Sequence, residues 1–231
     1  MKSLSGKLGV ILAVIGLAIW GCAAQKSENL PSTAQEKLDV PAWNVGDSWR
    51  YRYASEIEWQ YTVERIEGNL YIVEDRYGVD KPCFDKKTLE LKFFLTPQGK
   101  KVTSENVWYY GIYFDFPIYV GKKWAKMVSG RDIFGVRIDY LHEFRVISYE
   151  DTAVPAGTFK SFKIDFSKSV AARESVYRHY FWFSPEIKTI IKSSYAGKEG
   201  DWRPGSFDFE LISFKLKDKK SITSMKGGEP D

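Results

Sequence analysis

One stretch of the sequence decides the fold, and it reads Phe134-Gly135-Val136-Arg137-Ile138-Asp139-Tyr140-Leu141-His142-Glu143-Phe144-Arg145-Val146. From Ile138 to Val146 every second side chain is apolar or aromatic apart from His142, and the residues between them are mostly charged. A period of two is that of a β-strand, because successive side chains of a strand point to opposite faces. The stretch therefore predicts a long strand with one apolar face and one polar face.

The same alternation recurs in shorter stretches along the chain. Their apolar faces are Trp49, Tyr51 and Tyr53; Ile57, Trp59, Tyr61 and Val63; Leu89, Leu91, Phe93 and Leu95; and Phe162, Ile164 and Phe166. Turn-forming residues separate the stretches, for example at Gly68-Asn69, Pro97 to Gly99 and Pro155 to Gly157. Strands with a single polar face, joined by short turns, are typical of an antiparallel sheet.

These patterns predict an all-β fold with little helix. We expect a strongly curved antiparallel meander of about ten to twelve strands, forming an open or half-closed barrel, because a flat sheet of that width exposes its edges. Aromatic residues make up 16% of the chain, and they favour strands. Only Ser32 to Leu38 offers a turn or two of helix. Near Leu211 the apolar phase changes, which predicts a β-bulge.

One short sequence motif occurs twice. Val45 to Trp49 and Val120 to Trp124 both read Val-Gly-x-x-Trp. Each glycine can adopt a positive φ just before a strand whose tryptophan enters the core. Two related halves of the chain would explain the motif, and so would a chance match of three residues.

The first 21 residues are typical of an export signal. Lys2 and Lys7 precede a mostly apolar run from Leu8 to Trp20, and no acidic residue stands in this segment. A membrane-spanning helix needs about 20 apolar residues, so this run is too short to be one. A basic start, a short apolar run and a small residue at its end describe a cleaved signal peptide instead.

Residues Ile19-Trp20-Gly21-Cys22 resemble the lipobox of bacterial lipoproteins. In that family the signal is removed before the cysteine, which then carries the acyl chains. The resemblance implies that Cys22 is lipidated, by palmitate or a similar acyl group, and that the protein is held on a membrane of the bacterial cell envelope at its periplasmic face. Ala23, rather than an aspartate, follows the cysteine, which by the same resemblance implies the outer membrane. An ordinary secretory signal cut elsewhere is the alternative.

Four segments follow from these observations. They are a signal peptide at 1–21, the acylated cysteine and a flexible tether at 22–40, a single antiparallel β domain at 41–216, and a disordered tail at 217–231. The tether and the tail are polar and lack periodicity, which is typical of flexible segments.

Three further segments resemble uncharacterised bacterial envelope lipoproteins. They are Val40 to Trp49, the Val-Pro-Ala-Gly-Thr-Phe sequence from Val154 to Phe159, and Tyr180 to Pro185. The folds expected of those families are similar to those of lipoprotein-localisation factors, in which a curved antiparallel sheet cups an acyl chain. The resemblance implies neither an enzymatic activity nor a particular ligand, and this chain departs from the localisation factors in lacking predicted helices to plug the concave face.

Combinations of residues typical of catalysis or metal binding are missing from the sequence. His142 and His179 are its two histidines, they lie on different predicted strands, and a zinc site needs three or four converging ligands. There is no G-x-S-x-G, no phosphate-binding glycine motif and no C-x-x-C. The 34 basic and 30 acidic residues nearly balance, so nucleic-acid binding is not indicated. We therefore predict no catalytic residues, no metal and no cofactor, and a hydrolase is the least favoured alternative.

Cys83 has no disulfide partner if Cys22 is acylated, since these are the chain's two cysteines. A half-buried small apolar residue is one interpretation of Cys83. A reactive thiol, or one that forms an intermolecular disulfide, is the other.

The segment from Trp108 to Pro117 carries aromatic residues on both faces of a predicted strand. It predicts a ligand or partner surface formed by Trp108, Tyr110, Tyr113 and Phe116, and packing within the core is the alternative. Our leading hypothesis is a non-enzymatic envelope lipoprotein that binds a hydrophobic ligand or a protein partner. The alternative is a structural accessory subunit of an envelope complex with no small ligand.

Overall fold

A computed structural model describes most of the chain that follows the predicted signal and tether. The described residues are 36–76, 78–103, 113–131, 136–170, 173–197 and 208–217. The signal peptide, Cys22, Trp108, Tyr110 and the tail beyond 217 lie outside them. No helix that could cross a membrane occurs in the described ranges.

Fourteen strands form within the described ranges. They are β1 (Lys37–Leu38), β2 (Ser48–Tyr53), β3 (Glu58–Glu67), β4 (Leu70–Asp75), β5 (Lys81–Asp85), β6 (Leu91–Leu95), β7 (Lys101–Val102), β8 (Ile118–Tyr119), β9 (Lys123–Arg131), β10 (Arg137–Val154), β11 (Gly157–Val170), β12 (Arg173–Ser184), β13 (Thr189–Tyr195) and β14 (Phe209–Lys215). These elements are all strands, so the predicted all-β class is confirmed.

Twelve of these strands form one antiparallel sheet with the order β7-β6-β5-β4-β3-β2-β14-β13-β12-β11-β10-β9. The order divides at the β14–β2 pair into two meanders of six strands, β2 to β7 and β9 to β14. Within each meander, every strand pairs with the next one in the sequence. Strands β1 and β8 pair separately, with Leu38 opposite Ile118. The predicted antiparallel meander is therefore confirmed.

The sheet curls strongly without closing through hydrogen bonds between the described strands at its ends. Lys126 of β9 forms an ion pair with Glu90, which immediately precedes β6. In sheet order β6 and β9 are ten strands apart, which would be about 50 Å in a flat sheet with ordinary strand spacing. The ion pair therefore requires that the two ends of the sheet approach each other. Burial alone would raise the pKa of Glu90, but hydrogen bonds from Lys126 and Lys92 hold it below its usual value.

The predicted alternation is confirmed in the central strands. Every second residue from Tyr140 to Val146 is buried, whereas the residues between them are exposed or half-buried. We call the buried side of the sheet the inner face. The predicted bulge also occurs, because the register of β14 against β2 shifts between Leu211 and Ser213.

A single apolar core on the inner face joins the two meanders. Its fully buried side chains include Val63 and Val73 from the first meander and Phe162, Ile164 and Phe183 from the second. Trp43, which precedes β2, and Trp49 of β2 are anchored by hydrogen bonds to the β12–β13 turn. The indole nitrogen of Trp43 donates to the carbonyl of Lys188, and that of Trp49 donates to the carbonyl of Ile187, each at 2.9 Å. These bonds satisfy the polar atoms of buried rings and fix one meander against the other.

The structure corrects the predicted conformation of two residues. Leu89 was expected to begin a strand, but it has a φ of 54° and lies in the turn before β6, which begins at Leu91. Leu38 was expected in a turn of helix, but it is paired in β1. The described end of the predicted tether is thus part of the fold. At the other end, the backbone N–H of Lys217 donates to Asp47, so the packed chain extends to this residue.

The two Val-Gly-x-x-Trp motifs occupy equivalent positions in the two meanders. The Gly46 N–H donates to the carbonyl of Val63 at 2.8 Å, and the Gly121 N–H donates to that of Val146 at 2.9 Å. Each valine donates in return to the residue after its glycine. Directly after each valine the register shifts in a bulge. These three matching features at the two copies of the motif favour an internal repeat over a chance match.

Candidate functional site

A row of aromatic side chains runs across the inner face from strand to strand, near one end of the strands. We call it the aromatic row, and its members are Trp59 (β3), Tyr53 (β2), Phe209 (β14), Tyr195 (β13), and Tyr177 and His179 (β12). Strand register sets their common face, because Phe209 lies opposite Tyr53 and Tyr195 lies opposite His179. The row therefore extends over five neighbouring strands and both meanders.

Neighbouring rings of the row mostly meet at an angle, apart from those of Tyr177 and His179, which stack at 4.6 Å and 30°. The ring of Tyr53 lies 6.3 Å from that of Trp59 at 68°, and 5.4 Å from that of Phe209 at 52°. The ring of Tyr195 lies 5.6 Å from that of His179 at 71°. All members except His179 are only half-buried. Such tilted rings offer an uneven apolar surface, which suits a flexible apolar chain better than a flat stacking partner.

A second row of residues, with two lysines, crosses the inner face at the same end. Lys126, His142, Lys168 and Tyr177 lie on β9, β10, β11 and β12, each in register with the next. The Lys168 ammonium lies 3.8 Å from the centroid of the Tyr140 ring, in the geometry of a cation–π contact. Burial lowers the pKa of Lys168 to about 8, so it remains mostly protonated at neutral pH. The inner face thus carries a partly desolvated cation among aromatic rings.

His179 is the most enclosed member of the aromatic row. Its Nδ1 lies 3.2 Å from the hydroxyl of Ser193, and its Nε2 is hydrogen-bonded to the hydroxyl of Tyr177. Burial lowers the pKa of His179 to about 4, and burial also raises the pKa of Tyr177. Both side chains are therefore neutral at physiological pH, and the positive charges of the second row are those of Lys126 and Lys168.

The charged part of the site lies where the second meander extends beyond the first. Val63 and Val146 are equivalent residues of the two meanders, and the strand pairing extends this correspondence to their neighbours. Asp75, the last residue of β4, then corresponds to Phe166, and Lys81, the first residue of β5, corresponds to Tyr180. Lys168 lies after Phe166, and Tyr177 and His179 lie before Tyr180. None of these three residues has a counterpart within β4 or β5. The repeated sheet forms without such residues in the first meander, so its architecture does not by itself require them in the second.

Two of the four residues predicted to form a ligand surface are described. The Tyr113 ring lies 6.0 Å from that of His142, and its carbonyl accepts a hydrogen bond from the Trp124 indole at 2.6 Å. The Phe116 ring lies 6.1 Å from that of Phe183. Tyr113 and Phe116 both pack against the core. Tyr113 therefore borders the second row at His142, whereas Trp108 and Tyr110 lie outside the described residues.

Cys83 and the side chains that could bind a metal were also considered as sites from the sequence. Cys83 is fully buried, its thiol lies 3.5 Å from the carbonyl of Lys81, and burial raises its pKa to about 11. Among the residues that the structure describes, no three His, Cys, Asp or Glu side chains are grouped as metal ligands.

The sequence patterns identified neither the aromatic row nor Lys168. A signal for Lys168 was present, because the alternation of Phe162, Ile164 and Phe166 places it on the same apolar face two residues later. The row itself left no local signal, since it assembles residues more than 100 positions apart in the chain, from Tyr53 to Phe209.

No protein-family model matches this sequence, and neither does any curated protein. Three solved structures show a distant likeness. A presumed lipoprotein from Parabacteroides distasonis is 15% identical, with 78% of this chain and 100% of that chain covered and a TM-score of 0.40. The hypothetical lipoprotein YmcC from Escherichia coli is 11% identical, with 76% and 89% covered and a TM-score of 0.42. A presumed exported protein with a YmcC-like fold from Bacteroides fragilis is 12% identical, with 78% and 99% covered and a TM-score of 0.36. At these values the likeness carries no function over to this chain.

Proposed function

We propose that this protein is a lipid-anchored, non-enzymatic protein of the bacterial envelope whose aromatic row binds an apolar ligand. The row of half-buried rings across five strands of the inner face is the observation that carries this proposal. The part of such a half-buried apolar surface that still contacts water is stabilised when an apolar chain replaces that water. The uneven packing of the rings favours a flexible hydrocarbon chain as the occupant.

The anchor is proposed from the sequence. The basic start, the short apolar run and the lipobox-like residues up to Cys22 support acylation of that cysteine and attachment to a membrane facing the periplasm. Ala23 supports the outer membrane as its place. An apolar ligand would then be bound close to the bilayer from which such molecules come.

The anchor is tested by a Cys22→Ala variant expressed in its native host. The wild-type protein should remain in the membrane fraction after an alkaline wash, and the variant should move to the soluble fraction. A variant that remains with the washed membranes would contradict attachment through Cys22.

Binding is tested with N-phenyl-1-naphthylamine, an uncharged fluorophore that brightens in apolar surroundings. The probe is titrated into the full chain carrying Cys22→Ala, which needs no detergent. We expect saturable binding that weakens at least fivefold in a Phe209→Ser variant. Phe214→Ser is the matched control, because Phe214 lies on the same strand, is 38% exposed and is not part of the row. Equal binding by the two variants, or none by the parent protein, would contradict the proposed site.

A structural accessory subunit without a small ligand is the second candidate. The buried cluster around Phe162 and Phe183 favours it, because other side chains of this chain already cover that part of the inner face. Absence of saturable probe binding to the parent protein would leave this function as the better one.

A further inference from the structure

The aromatic row has one end on β3, at Trp59. The neighbouring strand β4 ends with Asp75, which lies opposite Tyr61 on the inner face and is buried. Apolar atoms that displace the polar surroundings of a carboxylate are disfavoured. A hydrocarbon chain on the row therefore gains little by extending past Trp59 towards β4.

The other end of the row lies on β12, where Tyr177 is half-buried and His179 is buried. On the next strand, β11, Phe166 lies opposite His179 and Lys168 lies opposite Tyr177. The described aromatic residues of β11 are all buried. In the part of the sheet that the structure describes, the half-buried rings of the row thus end at Tyr177.

The middle of the row is bordered by buried residues on the side of the core. The next inner-face residues in this direction are Tyr51 on β2, Leu211 on β14 and Ser193 on β13, and all three are buried. A ligand that reaches inwards from the row therefore finds no second set of half-buried rings on these strands. This arrangement favours a single chain that lies along the row over a broad ligand that also contacts the core side.

The row can be measured from ring to ring. The centroids of Trp59 and Tyr53 are 6.3 Å apart, those of Tyr53 and Phe209 are 5.4 Å apart, and those of Tyr195 and Tyr177 are 5.9 Å apart. The remaining step, from Phe209 to Tyr195, joins diagonal neighbours on adjacent strands, which are about 7 Å apart. The four steps together give a path of about 24 Å.

This path sets a hydrocarbon length. Each bond of an extended hydrocarbon advances by about 1.25 Å, so about 19 bonds would follow the ring centroids from end to end. A chain that contacts the rings lies inside their curve and follows a shorter path. The row therefore matches a chain of about 16 to 18 carbons.

We propose that the aromatic row selects its ligand by hydrocarbon length and binds one extended chain of about 16 to 18 carbons. This inference rests on the proposed function and specifies the ligand class as a lipid with a long unbranched chain. Additional carbons extend beyond the last ring and gain no affinity.

The experiment measures affinity as a function of chain length. Saturated straight-chain carboxylates, from decanoate to docosanoate in steps of two carbons, displace N-phenyl-1-naphthylamine from the full chain carrying Cys22→Ala. Each is used below the concentration at which it aggregates. The same titrations are made with Trp59→Ser, which removes the last ring on β3, and with the matched control Trp59→Phe, which keeps a ring there. Phe209→Ser removes a ring from the middle of the row.

For the parent protein we expect the affinity to rise at least twofold with each added carbon up to hexadecanoate or octadecanoate, and to level off beyond them. In Trp59→Ser the rise should end about five carbons earlier, because the lost step from Trp59 to Tyr53 is 6.3 Å long. Octadecanoate should then bind at least tenfold more weakly and dodecanoate less than threefold more weakly. Trp59→Phe should keep the parent's profile, and Phe209→Ser should weaken both chain lengths alike.

The failures of this inference and of the proposed function are distinguishable. An affinity that rises steadily up to docosanoate, or an unchanged profile in Trp59→Ser, overturns the length selection and leaves apolar binding standing. The same conclusion follows if N-phenyl-1-naphthylamine binds saturably and no carboxylate displaces it. If the fluorophore does not bind either, both are wrong. Near-ultraviolet circular dichroism shows whether Trp59→Ser is folded, and the parent's own profile decides the inference if it is not.

Discussion

Gly46 and Gly121 occupy the same position of the two meanders, with φ angles of 89° and 91°. Each N–H donates to a valine carbonyl, and each glycine precedes the strand that carries the tryptophan of its motif. Their surroundings differ. A Cβ on Gly46 would lie 2.9 Å from the Lys217 Cε, whereas a Cβ on Gly121 would meet no atom within 4 Å.

Because the two glycines are equivalent, replacing either one should lower the free energy of unfolding by the same amount. We expect Gly46→Ala and Gly121→Ala each to lower the free energy of unfolding by about 1–2 kcal/mol, because a residue with a Cβ is strained at such a φ. The contact with Lys217 should add little, since the end of that side chain can move. Urea unfolding followed by tryptophan fluorescence measures both. Values that differ by more than about 1 kcal/mol would contradict equivalent backbone strain.

Asp47 should be the most sensitive polar residue of the first motif. Its buried carboxylate accepts the backbone N–H groups of Asn44 at 2.9 Å and of Lys217 at 2.6 Å, and it lies 3.5 Å from the Lys188 ammonium. Asp47→Ala leaves these donors without their acceptor, so we expect a loss of about 2–4 kcal/mol of stability. Asp47→Asn should lose less, since its amide oxygen still accepts.

Lys217→Ala is the matched control for Asp47, because the carboxylate contacts the backbone of Lys217. Its unfolding free energy should stay within about 0.5 kcal/mol of the parent, as is usual for an exposed side chain. If Lys217→Ala is as harmful as Asp47→Ala, the importance of the backbone hydrogen bond is refuted.

The fold was predictable because it is recorded in local patterns. Alternation from Ile138 to Val146 is a property of neighbouring residues, and so is the phase change at Leu211 that indicated the bulge. The Val-Gly-x-x-Trp repeat was visible, but its meaning required the pairing of Gly46 with Val63 and of Gly121 with Val146. Long-range pairing of this kind leaves no trace in a single sequence.

The candidate site was less predictable for the same reason. Phe209 and Tyr53 meet because β14 returns to pair with β2 at the junction of the two meanders. Nothing near either residue indicates that pairing. Leu89 shows a different limit, because an apolar residue in phase with a strand occupies the preceding turn when its φ is positive.

Cys83 should be unreactive in the folded protein. It has no exposed surface, and burial raises its pKa to about 11, so the nucleophilic thiolate is scarce at neutral pH. We expect Ellman's reagent to label the full chain carrying Cys22→Ala only after urea is added. Stoichiometric labelling within minutes in native buffer would favour a reactive thiol.

His179 predicts a specific loss of stability in mild acid. Its pKa is about 4 in the folded protein, against an ordinary value of 6.5, because the ring is buried. Below pH 6.5 the unfolded chain therefore binds a proton that the folded chain does not. The free energy of unfolding should fall by about 3 kcal/mol as the pH is lowered from about 7 to about 4. Above about pH 7.5 His179 should contribute no pH dependence.

A His179→Gln variant isolates this contribution. Its unfolding free energy should decrease less than that of the parent between pH 7 and pH 4.5, so the two curves converge in acid. Tyr177→Phe is the control, since the hydroxyl of Tyr177 is not the cause of the shift and the slope should survive its removal. Ser193 and Tyr195 also face the ring and are retained in every variant. Parallel curves for the parent and His179→Gln would show that His179 is solvated enough to titrate normally, and that the inner face is wetter here than the packing of its rings implies.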